Sequence, residues 1–195
     1  MALVALGVVL ACAPARKPLV EARFDPAGVR VIGVAPILDV RPDRFERVLA
    51  TVHAREAALE ALARKGYRVE PVAMPEAVRK VRAGSGEAPT PEWLAEAFAD
   101  TADYVFLVML EDFDPGGGRV GEARATVSAF LLDTRGRRVL WSDRATARAS
   151  LGGLFAALTG PATGYEAAYE AVRAVVRTLP PTSAAKVTRR FRRAR

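Results

Sequence analysis

The stretch "EARATVSAFLLDTRGRRVLWSDRATARA", residues 122–149, decides the fold. In 122–133, Glu122, Arg124, Thr126 and Ser128 alternate with Ala123, Ala125, Val127 and Ala129. In 138–149, Val139, Trp141, Ala145 and Ala147 alternate with Ser142, Arg144, Thr146 and Arg148. A period of two is the mark of a strand with one buried and one solvated face. "TRGR" between them is too short for anything but a tight turn, and Gly136 is the expected positive-φ residue. The two runs are therefore hairpin partners. Upstream, "DYVFLVMLEDF" (103–113) is almost wholly apolar, as a strand buried on both faces should be. With "DPGGGRVG" as its connection to 122–133, the three strands form an antiparallel meander.

Working outward, "VRVIGVAPI" (29–37) is a β-branched run expected to form a strand, followed by a "DVRPD" loop. Asp43 with Glu46 makes a capping box, and Phe45, Val48, Leu49, Val52, Leu59, Leu62 and Ala63 continue at helical spacing. Gly66 falls where the C-terminal cap belongs, and "YRVEPV" (67–72) is a short strand. Residues 73–90 read as irregular, with "AGSGEAPTP" a loop. Thr90-Pro91 opens a helix whose apolar side is Trp93, Leu94, Ala97 and Phe98. Thr163 to Glu166 is another capping box. The helix after it carries Tyr165, Ala168, Tyr169, Val172, Val176 and Leu179 as one stripe, with Pro180-Pro181 stopping it. The order β-α-β-α-β-β-β-α predicts a single α/β domain, a mixed sheet with helices packed on it.

The chain has 195 residues and a net charge of +7. Six bases (Lys186, Arg189, Arg190, Arg192, Arg193 and Arg195) lie in the acid-free tail "KVTRRFRRAR"; without them 23 bases face 22 acids. The body is nearly neutral, which argues against a nucleic-acid-binding face. The tail reads either as a solubilising extension or, with Phe191 inserting, as a contact for anionic lipid or wall glycan.

One cysteine permits no internal disulfide and no Cys-based zinc site, and the lone His53 leaves little histidine chemistry. His53, beside Arg55 and Glu56, reads as a surface residue. "DPGGGRVGE" lacks the Lys-Ser/Thr and following helix of a phosphate loop. Glu111, Asp112 and Asp114 read as a solvated strand end, because alternation sends neighbours to opposite faces. Ser128, Ser142 and Ser150 lack a nucleophile-elbow context. No enzyme, metal site or cofactor is expected. "SLGGLFAALTGP" (150–161) is apolar but glycine-broken. Leu151, Leu154, Phe155 and Leu158 either pack on the sheet or form an exposed partner surface.

Ala2 to Ala13 carry no charge. As a helix, Ala2–Ala13 would measure about 18 Å against a hydrocarbon core of about 30 Å, which is too short to span but matches the apolar segment of an export signal. Its end, Val9-Leu10-Ala11-Cys12, resembles a bacterial lipoprotein box. That resemblance implies diacylglycerol on the Cys12 thiol, cleavage before it, and acylation of the new amino group. Ala13, rather than an acid, then implies the outer membrane. The expected boundaries are a signal peptide at 1–11, a lipidated Pro- and Ala-rich tether at 12–28, the α/β domain at 29–180 and the basic tail at 181–195. A lipidated thiol also escapes the dimerisation that a free one risks in an oxidising compartment.

"VRVIGVAPI", "ALEALARKGYRVEPV", "ADYVFLVMLEDF" and the hairpin "FLLDTRGRRVLW", in that order behind the lipoprotein box, resemble a group of bacterial envelope lipoproteins. The group includes the curli-secretion lipoprotein and the penicillin-binding-protein activator LpoB, with the TolB N-terminal domain similar in fold. The resemblance spans residues 29–178 and implies an anticodon-binding-like α/β fold acting through contacts with other envelope proteins. The curli pore needs additional membrane-crossing hairpins that this sequence lacks, so pore formation is not implied. The expectation is an outer-membrane, periplasm-facing lipoprotein working as an interaction module in envelope assembly, secretion or wall maintenance, with oligomers allowed and nucleic acid excluded. The alternatives are a periplasmic small-molecule-binding or transport-accessory subunit, and an inner-membrane-anchored or soluble periplasmic location.

Overall fold

The computed structural model describes residues 17–41, 47–80, 89–115, 123–149 and 164–182, with the side chains of 47–50 and 164 not included. The elements are β1 (Leu19–Val20), β2 (Val31–Val34), β3 (Leu38–Asp39), α1 (Arg47–Arg64), β4 (Arg68–Pro71), α2 (Glu76–Arg79), α3 (Pro91–Ala97), β5 (Tyr104–Asp114), β6 (Ala123–Asp133), β7 (Arg138–Ala149) and α4 (Gly164–Thr178). They build one mixed sheet in the order β1-β7-β6-β5-β2-β4, with β3 also on β5. β2 runs parallel to β4 and β5, whereas β5, β6, β7 and β1 are antiparallel neighbours. The expected α/β domain is the observed one.

The refinements are local. Within the 29–37 run the strand is only Val31–Val34, because Pro36 has no N–H to continue the ladder, and a separate strand, Leu38–Asp39, follows where the loop was expected. Ala35 N–H still reaches Phe106 O at 3.1 Å, and Val40 N–H picks the ladder up again at Leu110 O at 3.2 Å. Within the expected 12–28 tether, Leu19 and Val20 pair with Ser142 and Trp141 as an edge strand. The stretch read as irregular contains the one-turn α2. The Asp43, Glu46 and Thr163 caps lie outside the described residues.

The two faces are covered differently. α1 and α4 pack over one, closing a core around Ile32, Phe106, Leu131 and Trp141. α2 and α3 cover part of the other, over Val105, Leu107, Met109 and Leu132. The buried side of α1 is an alanine stripe, Ala54, Ala57, Ala58 and Ala61 with Leu62, whereas Val52, expected inside, is exposed. Facing it are Ala167, Ala168 and Ala171 of α4, also buried. Small side chains on both surfaces let two helices approach closely, so bulk was the wrong guide to the buried face. In α3 the start is as expected: Thr90 Oγ1 accepts from Trp93 N–H at 3.2 Å and Pro91 occupies the first turn.

Two bulges overturn the simple alternation. Between Leu110 and Asp112 the register slips, so that Glu111 is an extra residue in β5. Between Leu131 and Leu132 the partners jump from Trp141 to Val139. Leu140 and Trp141 consequently both enter the first core, while Val139 packs on the second.

Glycine is required at three tight places. Gly66 has φ 91°, the left-handed cap that ends α1. In the hairpin turn the positive φ belongs to Arg137, at 49°, and not to Gly136 as expected. Gly136 serves close approach instead: its N–H donates to Asp133 Oδ1 at 2.8 Å, and a Cβ there would lie 2.5 Å from Asp133 Oδ2. Gly33 in β2 is similarly confined, with a Cβ placed 2.7 Å from Val72 Cγ1 and 3.1 Å from Ala102 Cβ. Gly33→Ala is expected to cost about 1–3 kcal/mol through overpacking, read as a lower urea midpoint at unchanged slope.

The C-terminal helix is locked to the end of α1. Lys65 Nζ donates to Arg177 O at 2.8 Å and Leu179 O at 2.5 Å, capping the last carbonyls of α4. Tyr67 OH donates to Pro180 O at 2.6 Å, and Thr182 N–H donates to Lys65 O at 3.1 Å. Burial pushes the Tyr67 phenol above its ordinary value. The folded chain therefore holds this proton more tightly than the unfolded one. The stabilisation is complete below the unfolded phenol range, about pH 10, and is lost as pH rises beyond it. Tyr67→Phe is expected to cost about 1 kcal/mol at neutral pH and to flatten the alkaline decline of Tm. An identical decline in both proteins would contradict this.

Candidate functional site

Strand β5 brings three acids toward β6 and β7, and the bulge decides where they point. Glu111 accepts from Ser128 Oγ and, at 2.6 Å, from Arg144 Nε. Asp112 pairs with Arg124 at 3.0 Å. Ser128 lies opposite Arg144, and Arg124 is four residues before Ser128, so all three share the face not covered by α1 and α4. Glu111 and Asp112 thus reach the same face, contrary to strict alternation. Thr126 and Thr146 complete it through a hydroxyl pair at 2.9 Å. The result is a polar sheet face in which Thr126 and Ser128 are nearly buried and the charges are matched within the layer. A matched array of this kind is suited to a polar protein contact, since each charge is already compensated before a partner arrives.

On the other side, α1, α4 and the end of β7 border an open cleft of about 710 Å³, lined by His53, Arg148, Ala149, Tyr165, Glu166, Tyr169 and Glu170. α1 and α4 contribute opposite walls. His53 packs at 5.8 Å from the Tyr165 ring and has Nδ1 3.3 Å from Glu56 Oε2. Tyr169 OH donates to Glu60 Oε2 at 2.9 Å, and the Arg173 guanidinium, paired with Glu170 at 2.7 Å, lies 5.7 Å from the Tyr169 ring centre. Rigid aromatic rings fixed by carboxylates supply stacking area together with hydrogen-bond acceptors. The sequence placed Tyr165 and Tyr169 on the helix stripe; what it could not show is that His53 and Glu60 of α1 would meet them.

Cys12, the Leu151, Leu154, Phe155 and Leu158 surface, and the tail residues Lys186, Arg189, Arg190, Phe191, Arg192, Arg193 and Arg195 all lie outside the described residues, as do Ser150 and the glycine-rich hairpin connection. Among the described residues, no group of three His, Cys, Asp or Glu side chains converges on a common point, and no helix is long and apolar enough to cross a membrane.

Comparison with known proteins gives the fold a precedent. The dodecameric PelC of Paraburkholderia phytofirmans is similar to this chain with a TM-score of 0.54 and 19% identity, covering 86% of this chain and 97% of PelC. Lipoprotein GNA1162 from Neisseria meningitidis is 24% identical with a TM-score of 0.43, covering 67% of this chain and 90% of that one. No family model and no curated protein matches the sequence.

Proposed function

We propose that this protein is a lipid-anchored component of the bacterial cell envelope that works without catalysis, as a self-associating interaction module on the periplasmic side, with the outer membrane as its anchor site. The observation that carries the reading is the combination of an apolar leader ending in Leu10-Ala11-Cys12 with an α/β body that shares its fold over most of its length with a dodecameric protein. The polar face of β5, β6 and β7 fits the same role, because a surface of matched charges can meet a second copy or another envelope protein without stranding an ion. The stoichiometry of PelC belongs to PelC; for this chain the proposal is a closed oligomer of unspecified order.

The test is sedimentation of the chain carrying Cys12→Ala, so that detergent micelles do not obscure the mass. A discrete species well above 20.9 kDa is expected. A monomer at every concentration would contradict self-association, and crosslinking in envelope fractions would then be expected to yield other proteins only.

The cleft between α1 and α4 supports a second reading, a periplasmic small-molecule-binding subunit, since its tyrosines and carboxylates offer stacking and acceptors in one place. Native mass spectrometry separates the two: a retained small ligand favours binding, and bare protein assemblies favour the module.

A further inference from the structure

We propose that the polar face of β5, β6 and β7 is a self-recognition surface. Its partner is the same face of a second copy of this chain, related by a two-fold axis running along the strands. The inference rests on the self-association reading above and adds to it a surface and a symmetry. The first observation is how charge is laid out. The cross-strand register sets Asp114, Arg124 and Arg148 in one row and Asp112, Thr126 and Thr146 in the next. In a third row Glu111, turned by the β5 bulge, reaches Ser128 and Arg144. Along the strands, the acids therefore form a column on β5 and Arg144 and Arg148 form a basic column on β7, with β6 between them. Two strand spacings, about 10 Å, separate the columns. Asp114 and Arg148, each with an interaction of its own, extend them.

The second observation is bonding capacity still in hand. The described contacts engage one nitrogen of each guanidinium: Arg144 Nε meets Glu111 Oε2 at 2.6 Å, and Arg124 Nη2 meets Asp112 Oδ2 at 3.0 Å. A guanidinium fork offers several further N–H donors and a carboxylate several acceptor sites, so each pair can take another partner. Arg124, Asp112 and Arg144 are each close to half exposed. The third observation is that the face is open. α1 and α4 pack on the opposite side of the sheet, and α2 and α3 cover this one over Val105, Leu107 and Leu132, with the charged rows lying beyond them.

Charge then selects the symmetry. Two identical faces meet about a two-fold axis lying in the contact plane. With the axis along β6, β5 of one copy lies over β7 of the other and every row keeps its height. Glu111 then faces the partner's Arg144, Asp112 faces the partner's Thr146, and Asp114 faces the partner's Arg148. With the axis across the strands, acids would lie over acids and bases over bases, which is repulsive. Arg124 falls on the along-strand axis and meets its own copy, and the Asp112 paired with it in each chain offsets that contact. Three strand widths by about six residues is a small patch by interface standards, so recognition depends on charge and weakens with salt.

The test is sedimentation, at low and at high salt, of the full chain carrying Cys12→Ala, with Arg144→Glu or Glu111→Arg added. Each single swap sets like charges together on both sides of the axis and is expected to weaken association at least about tenfold. Mixing the two swapped chains sets the introduced acid of one against the introduced base of the other. Mixed assemblies are therefore expected to form about as tightly as native ones, although the internal Glu111–Arg144 pair stays broken in every chain. An ion pair that acts only within the chain cannot give that rescue. Swapped chains that assemble like the native protein, mixtures no tighter than the separate variants, or native association indifferent to salt each overturn the proposal and leave self-association standing. A native chain that is monomeric at every concentration removes both. Urea midpoints check that each variant folds. Where a swap unfolds the chain, Arg144→Gln and Glu111→Gln replace it; each is expected to weaken association several-fold, and unchanged association overturns the proposal.

Discussion

Trp141→Ala is expected to remove about 3–5 kcal/mol of unfolding free energy, a large part of the about 5–15 kcal/mol that a domain commonly has. Trp141 is fully buried and the largest side chain in the core. Its ring stacks on Phe106 of the central strand with centroids 6.0 Å apart and planes 20° apart. The position is held by the β7 bulge, which sets Trp141 opposite Leu131 beneath α4. Truncation would leave a cavity with rigid strands on one side and a close-packed alanine helix pair on the other, neither able to collapse into it. The indole Nε1–H has no hydrogen-bond partner among the described residues. Trp141→Phe therefore loses volume without orphaning an acceptor, and should cost well under half as much. Urea denaturation of both variants checks this. A loss below about 1 kcal/mol for the alanine variant would show that the site relaxes and that the core is not organised around this ring.

The meander was legible because its signals were redundant. A period-two pattern on both arms, a four-residue turn and an apolar central strand admit one arrangement, and the helix caps at Thr90 and Gly66 were equally readable. What escaped were features set by a single residue's relation to something distant. The bulge at Glu111 leaves no mark on composition, yet it turns an acid that alternation sends away into the partner of Ser128 and Arg144. The alanine stripe of α1 was hidden because bulk was taken as the sign of burial, whereas helix-on-helix contact rewards small side chains. The two-residue β1 had no periodicity to find, being defined only by the strand it joins. The candidate site was less visible than the fold for the same reason: the cleft is lined from α1, β7 and α4, residues that only tertiary packing brings together.

Cys12→Ala is the second change with a decisive outcome, since it removes the proposed anchor outright rather than weakening it. Two or more acyl chains bind a membrane stably where one is marginal, so loss of the thiol is expected to shift the protein from membrane to soluble fractions. The fold should be untouched, because the described sheet begins at Leu19, and the unfolding midpoint of the body should match that of the native protein. Loss of membrane association with unchanged stability distinguishes an anchor from a buried core thiol, whose removal would lower stability instead. Mass spectrometry of the N-terminal peptide from protein isolated out of membranes reads the modification itself. The prediction is a chain starting at Cys12 and bearing diacylglycerol and an amide-linked acyl group. An intact, unmodified peptide running from Met1 through Cys12, recovered from the cytosol, would contradict the envelope role.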